Sequence, residues 1–163
     1  MLQDHRTITT IQMDNDQFLP QVVNLLQEGH TVTLPLRGRS MRPFLEDGRD
    51  KALLKIAKHY AVGDAVLAEI AKGSFVLHRI IVIDGDDVTL RGDGNLNNEY
   101  CKIIDIRAKA IGFYRKGRNK LDSTDGCKWR IYSWWWTRLY SIRRYLLFAM
   151  HPHIPRRWRR QTS

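Results

Sequence analysis

A chain of 163 residues has the length of one domain plus an appendage, and its net charge of +10 points first at polyanionic partners. The excess is local: residues 1–114 hold 14 Lys and Arg against 15 Asp and Glu, whereas residues 115–163 hold 13 against 2. That asymmetry describes a nearly neutral globular body with a basic attachment device. Two cysteines, Cys101 and Cys127, exclude a disulfide framework and offer no metal-ligand spacing, so reduced thiols, no structural zinc and no other cofactor are expected.

The start, Met1-Leu2-Gln3-Asp4-His5-Arg6-Thr7, lacks the apolar core of a secretory peptide, and residues 1–15 read as a weakly ordered lead. No run of about 18 apolar residues occurs, so no spanning helix is expected and the cytoplasm is the default compartment. From Asp16 to Glu28, Phe18, Leu19, Val22, Val23, Leu25 and Leu26 recur at helical spacing. Asp16 is the expected cap, Pro20 falls in the first turn and Gly29 is the stop.

Strand-like runs follow near 31–37, 51–56, 64–70, 75–83, 86–91 and 103–115, separated by turn clusters at 84–86 and 92–95. The run Phe75–Ile83 is apolar on both faces and is expected to be buried on both sides. Short strands with close turns predict a mainly β, folded-over structure, with residues 116–128 as a hairpin tip or linker.

Three residues carry candidate chemistry. Ser40 lies between Gly38, which tolerates unusual backbone angles, and Pro43, which keeps a helix from starting early. Such a constrained loop suits a serine nucleophile and equally an ordinary turn serine. His78 interrupts an aliphatic strand face shared with Val76, Ile80 and Val82, while Arg79 faces the other way. It reads either as a core histidine or as the base a serine needs near neutral pH. A carboxylate must then fix the imidazole tautomer, and Asp93, after the next strand, is placed to reach back or simply to make a tight turn.

Taken in order, Gly38-x-Ser40-Met41-x-Pro43-x-Leu45, Val62-Gly63-Asp64-Ala65-Val66, His78-Arg79-Ile80-Ile81 and Gly92-Asp93-Gly94-Asn95 resemble the signal peptidases and their repressor-type self-cleaving relatives across residues 30–114. The resemblance implies a signal-peptidase-like or repressor-peptidase-like folded β domain with Ser40 as nucleophile. Most bacterial members use a lysine base and the endoplasmic-reticulum type a histidine. The residue before Arg79 is His78, so the chain looks like the histidine variant. Asp93 is then the acid of the triad and Glu99 a supporting acid downstream. Gly38, Met41 and Pro43 fall on the substrate-side loop, and an extended peptide would add as a strand beside residues 42–56. The Ser40 backbone N–H is the expected oxyanion donor. A lysine base must be desolvated to lose its proton, whereas histidine, starting near 6.5, needs only orientation and hence its acid partner. The 16–28 helix stands where signal peptidases carry a membrane anchor and is too short and polar to span. No DNA-binding domain or Ala-Gly or Cys-Gly cleavage bond precedes the serine loop. Neither a housekeeping signal peptidase nor a self-cleaving stress switch is therefore expected.

In the basic end, residues 129–150 form an amphipathic pattern at about 100° per residue. Ile131, Trp135, Leu139, Ile142, Leu146 and Ala149 share one face, and Arg130, Ser133, Thr137, Ser141 and Arg144 the opposite one. Arginine–tryptophan chemistry suits a membrane headgroup boundary, with Arg157 and Arg159 adding attraction for anionic lipid. Docking on the body and nucleic-acid binding compete with that reading. The organisation expected is a lead and helix over 1–29, a β peptidase domain over 30–125 and a basic amphipathic tail over 126–163. The expected function is a serine endopeptidase acting on a peptide or leader segment, cytoplasmic and peripheral at a membrane, with no residue fixing which side of the membrane it faces. A non-catalytic peptide- or membrane-binding domain and a nucleic-acid-binding module are the alternatives. No residue fixes substrate preference or oligomeric state.

Overall fold

The computed structural model describes residues 15–38, 40–115 and 120–138. Helix α1 spans Asn15–Gln27 and buries Val22 and Leu26, with Phe18 and Leu19 packed beside them. Pro20 lies more than a turn inside the helix rather than in its first turn, with its ring on the exposed side. Gly29 ends the helix in a left-handed conformation, φ 89°, and its N–H donates to Leu26 O while that of His30 donates to Leu25 O. That paired closure needs a positive φ, which glycine adopts without strain.

Among the described residues eight strands follow: β1 (Val32–Pro35), β2 (Lys51–Lys55), β3 (Ala65–Ala71), β4 (Ser74–Asp84), β5 (Asp87–Arg91), β6 (Glu99–Lys102), β7 (Ile106–Tyr114) and β8 (Leu121–Ser123). They form one open antiparallel sheet in the order β1-β2-β7-β3-β4-β5-β6, with β8 paired to β7. Among the described residues the protein is thus mainly β with two α-helices, the second being α2 (Cys127–Arg138).

Two strands have no counterpart among those expected. β6 is built from Glu-Tyr-Cys-Lys, which lacks apolar alternation and sits at the sheet edge, where pairing with β5 defines it. β8 is three residues long and pairs only with the end of β7. The run expected as a strand from 103 opens instead with a 3₁₀ turn, Ile103–Asp105, in which Asp105 Oδ2 accepts the N–H of Lys102 at 2.8 Å.

The strand buried on both faces is β3 rather than β4. Ala65, Val66, Leu67 and Ala68 are all buried, whereas β4 is buried only at His78, Arg79 and Ile80 and exposed at Val82. β3 lies between β7 and β4 in the middle of the sheet, and its two small alanines let layers close over both sides. Long apolar residues in β4 extend past that cover.

Each face carries its own core. Val22, Leu26, Leu34, Leu36, Met41, Leu45, Leu54, Leu67, Phe113 and Trp129 pack on one side. Val66, Ala68, Ile80, Val88, Leu90 and Ile106 pack on the other. Among the described residues, no helix is long and apolar enough to cross a membrane, both cysteines are free thiols, and no group of three His, Cys, Asp or Glu is arranged to hold a metal ion.

Helix α2 docks on the first face through Trp129, Tyr132 and Ser133. Trp129 and Tyr132 form an aromatic cluster with Phe44 and Phe113, with ring centroids 4.6 Å apart for Phe44–Trp129 and Phe44–Tyr132 and 4.9 Å for Phe113–Trp129. The docked face therefore includes Ser133, which the amphipathic pattern assigned to the polar side, and leaves Ile131 and Trp135 outside. Leu139, Ile142, Leu146, Arg157 and Arg159 lie outside the described residues.

Candidate active site

Antiparallel register sorts the candidate residues before any side-chain contact is considered. Arg79 of β4 pairs with Arg91 of β5, so the next pair along brings Gly92 opposite His78. Ile80 pairs with Leu90, and Leu90 with Glu99 of β6, so Glu99 shares the face of Ile80 and His78. Continuing the alternation past Arg91 sends Asp93 to the face of Arg79.

The contacts follow that sorting. His78 is 3 % exposed, and its Nδ1 lies 2.5 Å from Oε2 of Glu99. A carboxylate accepts and does not donate, so in the neutral ring Nδ1 carries the hydrogen and Nε2 the lone pair. Nε2 points toward Gly92. A Cβ built on Gly92 would sit 3.0 Å from His78 Nε2 and 3.0 Å from Ser40 Cβ, with the Ser40 carbonyl oxygen closer still. The imidazole edge and the serine side chain are therefore no more than twice that distance apart, across a space only glycine leaves open.

The loop bearing Ser40 is fixed from several sides. Gly94 N–H donates to Ser40 O at 2.6 Å, tying the serine to the turn after β5. Gly38 has a φ of 89° and donates its N–H to Asp47 Oδ1 at 3.0 Å. Leu45 N–H donates to Met41 O, and Arg42 pairs with Glu46 at 2.6 Å. Asp50, fully buried, accepts from the N–H of Glu46 and from Arg49, closing the turn behind the loop. The Arg42–Pro43 peptide is cis. Ser40 and Pro43 are half-buried and Gly38 is exposed, whereas Met41, expected along a substrate groove, is 5 % exposed and packs in the core.

Asp93 does not sit where the triad expectation put it. Arg79 holds it from below, with Nε donating to Oδ1 at 2.9 Å and Nη2 to Oδ2 at 2.7 Å, and both residues are 1 % exposed. Tyr132 O–H adds a donor to Oδ2 at 3.3 Å. Burial opposes the Arg79 charge, and the Asp93 carboxylate, through its charge and its hydrogen bonds, more than offsets this and raises the guanidinium pKa. The carboxylate set on His78 is that of Glu99, the residue the resemblance gave only a supporting role.

Three contacts with Arg79 had no signal in the sequence motifs. Its Nη1 donates to Gly63 O at 2.8 Å and to Ser133 Oγ, and its Cζ lies 4.7 Å from the centroid of the Trp129 ring. Ser133 Oγ in turn donates to Gly63 O at 3.0 Å. Gly63, with φ 99°, also donates its N–H to Ile80 O at 2.8 Å. The Val62-Gly63-Asp64 segment thus supplies a carbonyl that α2 and β4 share. A serine amid aromatics in α2 was the available hint.

No protein-family model matches the chain, and no curated protein matches its sequence.

Proposed function

We propose that the protein is a serine endopeptidase of the signal-peptidase-like type, histidine variant, with Ser40 as nucleophile, His78 as general base and Glu99 as the acid that orients His78. The observation that carries this reading is the His78 ring held at Nδ1 by Glu99 while Nε2 and Ser40 Cβ share the gap at Gly92. Four motifs in family order, on a mainly β chain, support the finer fold assignment.

In this mechanism Nε2 takes the Oγ proton as Oγ bonds to the substrate carbonyl carbon, and the carbonyl electron pair moves onto its oxygen. The backbone N–H of Ser40 is the donor for that oxyanion. The imidazolium, steadied by Glu99, gives its proton to the amine as the C–N bond breaks. Water then attacks the acyl-serine, with His78 again as base, releasing the acid and restoring Ser40. Asp93 serves the fold beside the site: it neutralises the buried Arg79 next to the base.

A serine-reactive fluorophosphonate tests the reading, with adducts located by peptide mass mapping. Ser40 is expected to be the modified residue, at a rate at least about 100-fold lower in His78→Ala, the scale of general-base assistance. Equal labelling rates in the two proteins, or a wild type without a Ser40 adduct, overturn it.

A further inference from the structure

The two sides of α2 do different things. Its inner side, Trp129, Tyr132 and Ser133, is occupied by the body. Its outer side carries Ile131, Trp134 and Trp135, which are 59 %, 50 % and 53 % exposed. At 3.6 residues per turn these three lie roughly opposite the docked face. Arg138 joins them, with its Cζ 4.6 Å from the Trp134 ring centroid, and Trp134 and Trp135 meet edge to face at 5.2 Å. A helix that needed only to cap the body would gain nothing from three large apolar side chains on its water side.

The charge around that side selects the occupant. Residues 126–163 contain nine Lys and Arg and no Asp or Glu, and they hold all five tryptophans of the chain. Tryptophan prefers the headgroup level of a bilayer, where its ring is apolar and its N–H is wet, and a uniformly cationic surround favours anionic lipid. We infer that the outer face of α2, Ile131, Trp134 and Trp135 with Arg130 and Arg138, is a docking surface for an anionic membrane. The inner contacts to Arg79, Asp93 and Phe44 hold that surface in fixed relation to the loop of Ser40 and the strand of His78. Docking on the body and contact with lipid are therefore simultaneous properties of one helix. The surface stands independently of any reaction at Ser40.

Co-sedimentation with vesicles of phosphatidylcholine alone, and of phosphatidylcholine mixed with phosphatidylglycerol, tests this with the full chain. The wild type is expected to pellet with the mixed vesicles, less so with the neutral ones, and less again as salt rises. The variant I131S/W134S/W135S is expected to partition at least about tenfold more weakly, the loss following from the apolar area withdrawn. Because exposed positions are changed, the buried Trp129 serves as the check on folding. The conservative W134F/W135F variant provides a second reading: it should still pellet but lose emission that brominated lipid quenches in the wild type. Equal partition of the serine variant and the wild type overturns the assignment to α2. So does binding to duplex DNA or RNA, with a steep salt dependence and no vesicle binding, which would make the face a nucleic-acid surface.

Discussion

His78 and Glu99 meet across an intervening strand: the imidazole Nδ1 of β4 lies 2.5 Å from the carboxylate of β6, with β5 between them. One residue along, Arg79 turns to the opposite face and is gripped by Asp93. Two carboxylates that sequence spacing treats as rivals are thus assigned by register to different partners.

That division predicts opposite phenotypes. Glu99→Gln removes the carboxylate charge that faces His78 Nδ1 while leaving a partly exposed side chain of the same size, so peptide hydrolysis should fall about 10²–10⁴-fold with little change in unfolding free energy. Asp93→Asn leaves the buried Arg79 charge uncompensated and should cost about 3–5 kcal/mol of stability. Hydrolysis rates and urea unfolding curves of the two variants check this. A stable, inactive Asp93→Asn beside an active Glu99→Gln would return the acid role to Asp93.

Gly92→Ala probes the gap between His78 and Ser40. An added Cβ would sit 3.0 Å from both His78 Nε2 and Ser40 Cβ and collide with the Ser40 carbonyl oxygen. The serine loop must then retreat, and a misplacement of about 1 Å costs on the order of 100-fold in rate. The expected stability loss is about 1–3 kcal/mol. A variant with wild-type turnover would show that Ser40 and His78 do not work through that gap.

Docking of α2 has a stability signature. Trp129 is 6 % exposed, meets Phe44 edge to face, packs tilted against Phe113 and covers the Arg79 guanidinium. Trp129→Ala should destabilise the protein by about 3–5 kcal/mol, and Ser133→Ala, which strips a donor from Gly63 O, by about 1–3 kcal/mol. Denaturant titration measures both, and a loss below about 0.5 kcal/mol for Trp129→Ala would mean that the helix contributes little to the body.

The thiols separate by pH. Desolvation first, and the charge of Asp105 second, push the Cys101 thiol up to about 11. Only the thiolate reacts with iodoacetamide, so at neutral or mildly basic pH Cys101 is mostly protonated and slow. Its rate should rise about tenfold per pH unit until that value is reached. Cys127 is exposed and should be alkylated first. Mass spectrometry of partly alkylated protein checks the order, and faster modification of Cys101 near pH 8 would contradict it.

Much of the fold could be read from the chain because alternation and turn residues are local. The 16–28 helix, its glycine stop and six of the eight strands follow from such signals. β6 and β8 do not, because pairing with a neighbour, rather than their own residue pattern, makes them strands. The facing of His78 and Arg79 was legible from alternation alone. Which acid meets which was not, because it depends on the β4–β5–β6 register and on a backbone that leaves β5 at Gly92. The docked side of α2 was also hidden. Hydrophobic periodicity ranked Ser133 as solvent-facing, whereas a carbonyl at Gly63 and the Arg79 guanidinium gave that hydroxyl a buried place. The double burial of β3 was masked because alanine carries too weak an apolar signal to compete with the Val- and Ile-rich β4.

Peptide hydrolysis by the wild type and by Ser40→Ala, followed on a mixture of unstructured peptides by mass spectrometry, reaches the central claim most directly. The account predicts discrete cleavage products from the wild type and a rate at least about 10³-fold lower when the hydroxyl is removed. Cleavage by Ser40→Ala at the wild-type rate would contradict it.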